Sequence, residues 1–365
     1  EYSVWIVTLS SDDGVLGHAS VSPEQGQVVE FNVRGGGEVE ERVREKEEGP
    51  LDLLSVFSRF RPRFEGPAVA WMSLVIVFLL AGDFGRPLSL RNLDIILLYM
   101  LCPFLNVLWA NMKLAFTGLF CVTVVFFLRS VLGVRIFSRT VGMSPAKKRA
   151  IFVVLILVCL FHVQTVYEKG IEDCGIWSVI GAEYVRESGH LPYGTAFGPN
   201  CVYGPLMYWL HVPGNMLFEP EVSFDSEGGV EWGEYGVFEM RGAQCTLLVF
   251  DLLALMGLYL FGRRHGGGGV GLLLALVYAI SPYVLGLGTA MGLQQNSHIV
   301  GIAFVVFALV LVSCPLIAGL LLGLGAGLLY YPAFLIPLWL GYYARVGGKK
   351  DALKFLVAIA GGGAG

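Results

Sequence analysis

HIVGIAFVVFALVLVSCPLIAGLLLGLGAGLLYYPAFLIPLWLGYYA, residues 298–344, decides the fold class. From 299 to 344 it runs 46 residues without an Asp, Glu, Lys, Arg or His. A second stretch, LLLALVYAISPYVLGLGTAMGL at 272–293, is equally free of them. About 20 apolar residues carry an α-helix across the hydrocarbon core of a bilayer. A soluble core has no use for an apolar run of this length, and the polar/apolar alternation of an outer-membrane barrel is absent. The chain reads as an all-α, polytopic membrane protein.

The rest of the composition agrees. Of 365 residues, 55% are hydrophobic and 15% charged, against about 25% charged in ordinary globular chains, and the mean hydropathy is +0.67. The net charge of −4 matters less than where the charges sit. No cleavable signal peptide is visible after Glu1. The closing GGGAG interrupts an apolar run, so further membrane helices are expected beyond it.

Residues 1–65 form a polar segment unlike the rest, a small appended module with β character. YSVWIVTLS and QVVEFNVR alternate like half-buried strands, and EVEERVREKEE reads as a solvated helix or linker. Residues 66–365 form the multi-spanning domain. Expected spans are 67–83, 93–111, 113–132, 150–167, 243–261, 268–287, 298–313 and 315–345, with a last one starting near 352. The run 315–345 is too long for one helix. Tyr331-Pro332 near its centre predicts a break, because proline lacks a backbone donor and clashes with the preceding turn.

Basic residues give an orientation. Arg129, Arg135, Arg139, Lys147, Lys148 and Arg149 mark one cytoplasmic loop, Arg263 and Arg264 a second, and Arg345, Lys349, Lys350 and Lys354 a third. These agree if 315–345 makes two passes, and 168–242 is then a long extracytoplasmic loop rich in Asp and Glu. Arg59, Arg61 and Arg63 fall on the outer side by this count, which conflicts with the rule.

Loops as long as 168–242 are usually functional. It opens YEKGIEDCGIWSVIGAEYVRESGHLPYG, in which Ile176, Ile180 and Tyr184 recur at helical spacing beside Trp177, as in a helix lying at the membrane surface. Glu172 and Asp173 stand at its start. A carboxylate there suits a general base toward an acceptor hydroxyl. Asp173 equally suits a helix N-cap, and the two roles are compatible. FGPNCVYGPLMYWLHVP then reads as a proline-bounded aromatic helix. Tyr193, Tyr203, Tyr208 and Trp209 either line a groove for a lipid or sugar or form an aromatic belt. Cys174 and Cys201 share the loop and would pair in an oxidising compartment.

The order of these parts (a membrane helix, an acid just outside it, a helix ending LPYG, then a YGP motif) resembles the GT-C superfamily of integral membrane glycosyltransferases. The likeness is greatest to prokaryotic mannosyltransferase-type members, including glycosyltransferase family 87 relatives. It covers about 150–345, continuing through LYLFGRRHGGGGVGLLLALVYAISPYVL, QQNSHIVGIAFVVFALVL and AGLLLGLGAGLLYYPAFLIPL. The resemblance implies a polyprenyl- or dolichyl-phosphate sugar donor, mannose being the sugar of the commonest members. The acceptor is an extracytoplasmic hydroxyl of a glycan, lipid or protein. Asp173 is implied as base, with Glu172 as the alternative, and inversion at the anomeric carbon follows. The departing phosphate needs cations or donors, and Lys169, Arg186, His190 and Arg241 are the candidates, each of which also reads as a plain surface charge. Asn296 and His298, in the polar cluster with Gln294 and Gln295, and Tyr331 would face the same cavity. Two positions depart from the family pattern. Asn296 is followed by Ser297 rather than Asp, and Leu329 stands where relatives carry Lys.

Other chemistry is excluded or unsupported. The Gly266–Gly269 run is a turn between spans, not a phosphate cradle. Seven cysteines show no zinc spacing, so neither a metal nor a cofactor nor a nucleic acid is expected. The alternative classes are a transporter or flippase, suited by breaks near Pro282 and Pro332, and a non-catalytic membrane scaffold. Asp251 is a carboxylate inside an apolar span, and such a residue is a functional candidate in its own right.

Overall fold

The computed structural model describes residues 5–11, 14–21, 28–33, 66–82, 84, 89–106, 112–133, 143–169, 173–220, 222–224, 230–232, 241–281, 284–285 and 296–363. Glu172 lies outside them, as do the side chains of Lys169, Asp173, Cys174 and Asn296. The chain divides into two compact units, Glu1–Arg59 and Phe60–Gly365.

The first unit is an antiparallel meander of β1 (Trp5–Ser11), β2 (Gly14–Val21) and β3 (Val28–Val33), in the order β1-β2-β3. Trp5 pairs with Val21 and Ser11 with Gly14, so only Asp12 and Asp13 separate the first two strands. The outer strands fall where alternation predicts them. The central one is less legible, because Gly14, Gly17 and His18 interrupt its apolar pattern.

The second unit is helical. In chain order it holds α1 (Gly66–Ala81), α2 (Leu90–Asn106), α3 (Met112–Gly133), α4 (Pro145–Lys169), α5 (Asp173–Ser188), α6 (Pro205–Leu217) and α7 (Arg241–Gly266). It continues with α8 (Gly268–Ala279), α9 (Asn296–Val310), α10 (Pro315–Leu328), α11 (Ile336–Val346) and α12 (Gly348–Gly363). A short ribbon, β4 (Val222–Phe224) with β5 (Val230–Trp232), follows α6. Among the described residues three helices are long and apolar enough to cross a membrane, within Met112–Arg129, Pro145–Val166 and Arg241–Gly266. The sequence therefore folds as a helical membrane protein. The other apolar helices are shorter than these three. The span foreseen at 268–287 stops as a helix at Ala279, just before Ser281-Pro282, where the residue preceding proline is pushed out of the helical region.

The run 315–345 breaks as its proline predicts. A 3₁₀ turn, Tyr331–Leu335, separates α10 from α11. The two helices run in opposite directions along α9. Gly301 near the start of α9 lies against Leu329 and Tyr331, whereas Tyr343 donates from its hydroxyl to the Val312 carbonyl at 2.7 Å, past the end of α9. A further helix, α12, seats on α10 where Gly323 leaves no room for a Cβ, the nearest atom being the Ile359 carbonyl oxygen at 2.6 Å. Such close backbone approach is how helices associate in lipid, where apolar burial alone gives no preference.

Directions of the remaining helices follow from their contacts. α7 and α9 run parallel: Gly257 meets Val306, and Arg264 donates to the Val310 carbonyl at 2.7 Å. α4 is antiparallel to α7, because Gln244 Nε2 donates to the Val166 carbonyl at 2.9 Å. One end of the bundle thus gathers the end of α4, the starts of α7 and α9 and the end of α10. Lys147, Lys148, Arg149, Arg263 and Arg264 lie at the other end, with Lys148 beside Gly269 in the first turn of α8.

Candidate functional site

The first end of the bundle is capped by α5 and α6. α5 is more enclosed than a surface-lying helix: Ile176, Ser178, Val179, Ile180, Ala182, Glu183 and Val185 are all buried. Gly181 makes this possible, since a Cβ there would stand 2.5 Å from the Tyr208 ring. Trp177 and Tyr184 pack on Phe197, and Phe224 of the ribbon closes the aromatic cluster.

α6 lies across the end. Gly204, just before it, donates its N–H to the Leu328 carbonyl at 3.0 Å and has the Gly327 oxygen where a Cβ would go. Ten residues on, Gly214 meets Gly242 in the first turn of α7. α6 therefore straps the end of α10 to the start of α7. Trp209, Met216 and Leu217 of α6 remain exposed, as does Val202 before it.

The tyrosines named from sequence meet here. Tyr193 of the LPYG turn donates to the Tyr203 carbonyl, as does Tyr208 at 3.4 Å. Tyr193 and Tyr208 pack edge to face. Burial raises the hydroxyl pKa of both, and the Tyr330 hydroxyl acts on Tyr193 as well. The LPYG, YGP and LLYYP segments thus share one corner, with Tyr193 and Tyr330 at its exposed rim. His190 is exposed, and its N–H donates to Ser188 Oγ at 3.1 Å. Tyr331 covers Gly301 on α9, close to the start of that helix, where His298 is partly exposed. Leu329 is buried and packs among Val300, Leu328 and Tyr208.

Two candidates are tied up otherwise. Arg186 is bound through Nε and Nη2 to Oε1 of Glu183, and its Nη1 is 3.8 Å from Glu219. Buried Glu183 is held in turn by Asn215 Nδ2 at 3.0 Å, which also donates to the Val179 carbonyl. This pair joins α5 to α6 and accounts for Arg186 without a substrate. Arg241 donates to Gln244 Oε1 at 3.1 Å beside the Gly214 end of α6, while the tyrosines gather at its Gly204 end. Cys201 is an unbridged thiol, buried against Trp177 and held up to about 11 by desolvation.

His211 on α6 is fully buried, and desolvation lowers its pKa from 6.5 to about 4. The unfolded chain therefore takes up a proton that the folded one refuses, and stability falls as pH drops from 6.5 toward 4. The full loss is about 3 kcal/mol. Urea unfolding followed at both ends of that range should show it in the wild type and not in His211→Gln.

A second polar centre lies between α4, α7 and α8. His162 Nδ1 is 2.8 Å from Asp251 Oδ2, and its Nε2 is 2.9 Å from the Ala279 carbonyl oxygen. The Tyr278 hydroxyl donates to Asp251 Oδ1 at 3.1 Å. His162 and Asp251 are 1% and 2% exposed, and both line an apolar groove of about 680 Å³ walled by Phe152, Ile156, Leu252, Met256 and Leu272. Asp251 was legible as a carboxylate in an apolar span. Its partner His162, in VCLFHVQ, was signalled only by being polar where its neighbours are not. Compared with known proteins, the chain matches no family model, no curated protein and no solved structure.

Proposed function

We propose that the chain is a GT-C-type glycosyltransferase of the cytoplasmic membrane, with the α5–α6 end outside the cell. It moves a sugar, with mannose the first choice, from a polyprenyl- or dolichyl-phosphate donor to an acceptor hydroxyl. The observation that carries this reading is the convergence of LPYG, YGP and LLYYP on the end where α5 begins at Asp173. Basic residues at the opposite end support the orientation.

In this reading Asp173, or Glu172 beside it, takes the proton from the acceptor hydroxyl. The oxygen attacks the anomeric carbon, forming the new glycosidic bond as the bond to the lipid phosphate breaks, with inversion. Lys169 and His190 are the candidates left to meet the departing phosphate, Arg186 being bound to Glu183 and Arg241 to Gln244. The exposed tyrosine rim offers stacking surface for the sugar, and the groove along α4 and α7 has the size of a small-ligand site for the first units of the lipid tail.

Radiolabelled polyprenyl-phosphate mannose supplied to membranes containing the protein should label an acceptor. Asp173→Asn should cut transfer by about 10²–10⁴-fold. If transfer survives that change but not Glu172→Gln, the base is Glu172, and survival of both removes the base role from this loop. The His162–Asp251 pair favours a second reading, a proton-linked transporter. Substrate flux in vesicles without sugar transfer would select it.

A further inference from the structure

We infer that His162 and Asp251 form a binding site for a single proton, and that its occupancy holds α4, α7 and α8 together. The inference stands independently of glycosyl transfer, because it rests on counting hydrogens in the three contacts.

The Ala279 carbonyl can only accept, so His162 Nε2, 2.9 Å away, must carry a hydrogen. The Nδ1–Oδ2 contact at 2.8 Å then needs one hydrogen of its own, carried by the ring nitrogen or by the carboxyl. Tyr278 fills Oδ1 with its own hydroxyl hydrogen. An imidazolium facing a carboxylate satisfies all three contacts, as does a neutral imidazole facing a carboxylic acid. Both forms contain the same number of protons, and the pair is neutral overall, as suits its near-complete burial.

Removing that proton leaves a neutral ring with one N–H and a carboxylate. If the hydrogen stays on Nε2, a ring lone pair faces a carboxylate oxygen. If it moves to Nδ1, a ring lone pair faces the Ala279 carbonyl. One of the two bonds must open, and each joins α4 to a different helix. Adding a second proton turns the Tyr278 hydroxyl into the acceptor at Oδ1 and leaves a net positive charge on a pair 1% and 2% exposed. The singly protonated pair is the neutral form that keeps the three helices tied.

The other titratable groups facing the pair are Cys159 on α4 and Tyr278 on α8, with Tyr259 of α7 further along the groove. α9 presents Ile299, which packs with Tyr278 and Leu247. No other Asp, Glu, Lys or Arg among the described residues lines the groove. The sign follows: the clamp is present while the proton is bound and is lost as pH rises.

Asp251→Asn provides a proton-independent copy. Its amide N–H donates to Nδ1, its carbonyl accepts from Tyr278, and Nε2–H still reaches Ala279. The full chain in lipid nanodiscs is to be melted in a series from mildly acid to alkaline buffer. The wild type should lose melting temperature toward the alkaline side, and Asp251→Asn should stay flat over the same series. Equal slopes, or a wild type as flat as the variant, would overturn the inference. Should the variant fail to fold, ¹⁵N spectra of histidine-labelled wild type decide, with the His162 resonances assigned by their loss in His162→Gln. A change in ring protonation coinciding with the drop in melting temperature is expected. A drop with no change at His162 refutes the site.

Discussion

Gly204→Ala is expected to detach α6 from α10 and leave the α5–α6 cap loose. The added methyl would stand 2.0 Å from the Gly327 oxygen and 2.7 Å from its carbonyl carbon. Both are backbone atoms, so no side chain can swing aside. Relief requires the chain to back away, and the Gly204 N–H then leaves the Leu328 carbonyl. Overpacking of a well-filled site costs about 1–3 kcal/mol, and the lost hydrogen bond about 1 kcal/mol more. Limited proteolysis checks the outcome: cleavage within 189–220 should quicken while the long helices α4 and α7 stay intact. An unchanged digestion pattern would show that α6 is not anchored there.

His162→Leu should destabilise the bundle more than any other side-chain change within α4. It strands the Asp251 carboxylate at 2% exposure with Tyr278 as its remaining partner. Removing one member of a buried pair costs about 3–5 kcal/mol, and protonation of Asp251 recovers part of that. A double change, His162→Leu with Asp251→Leu, leaves no stranded charge and should regain most of the loss. Denaturant titration in detergent measures both. A single variant as stable as the wild type would mean that the carboxylate finds another partner.

These two sites also mark how far the sequence could be read. Spans at 113–132, 150–167 and 243–261 coincide with α3, α4 and α7, because unbroken apolar composition leaves a chain in lipid few ways to satisfy its backbone other than a helix. The break at Pro332 was equally legible, since proline acts locally. Burial of α5 was not. Ile176 and Ile180 announce one apolar face, but the enclosure of the other depends on Gly181 admitting Tyr208 from a helix more than twenty residues away. Arg186 had the residue type of a phosphate ligand, and Glu183, one helical turn earlier, could have identified its partner. Pairing of His162 with Asp251 spans 89 positions and leaves no periodic trace.

The reversal at Tyr331–Leu335 has a consequence for the surrounding lipid. α9, α10 and α11 hold 15, 14 and 11 residues, whereas α4 and α7 hold 25 and 26. At about 1.5 Å per residue the described residues of the first three reach about 23 Å or less, short of a hydrocarbon core about 30 Å thick. One flank of the molecule is matched to a full bilayer and the other to a thinner one. Mismatch of this kind is met by deformation of the membrane or tilting of the protein. Where the membrane yields rather than the protein tilting, lipids beside α9–α11 are drawn inward and their headgroups come nearer the corner where Tyr193, Tyr203 and Tyr330 gather.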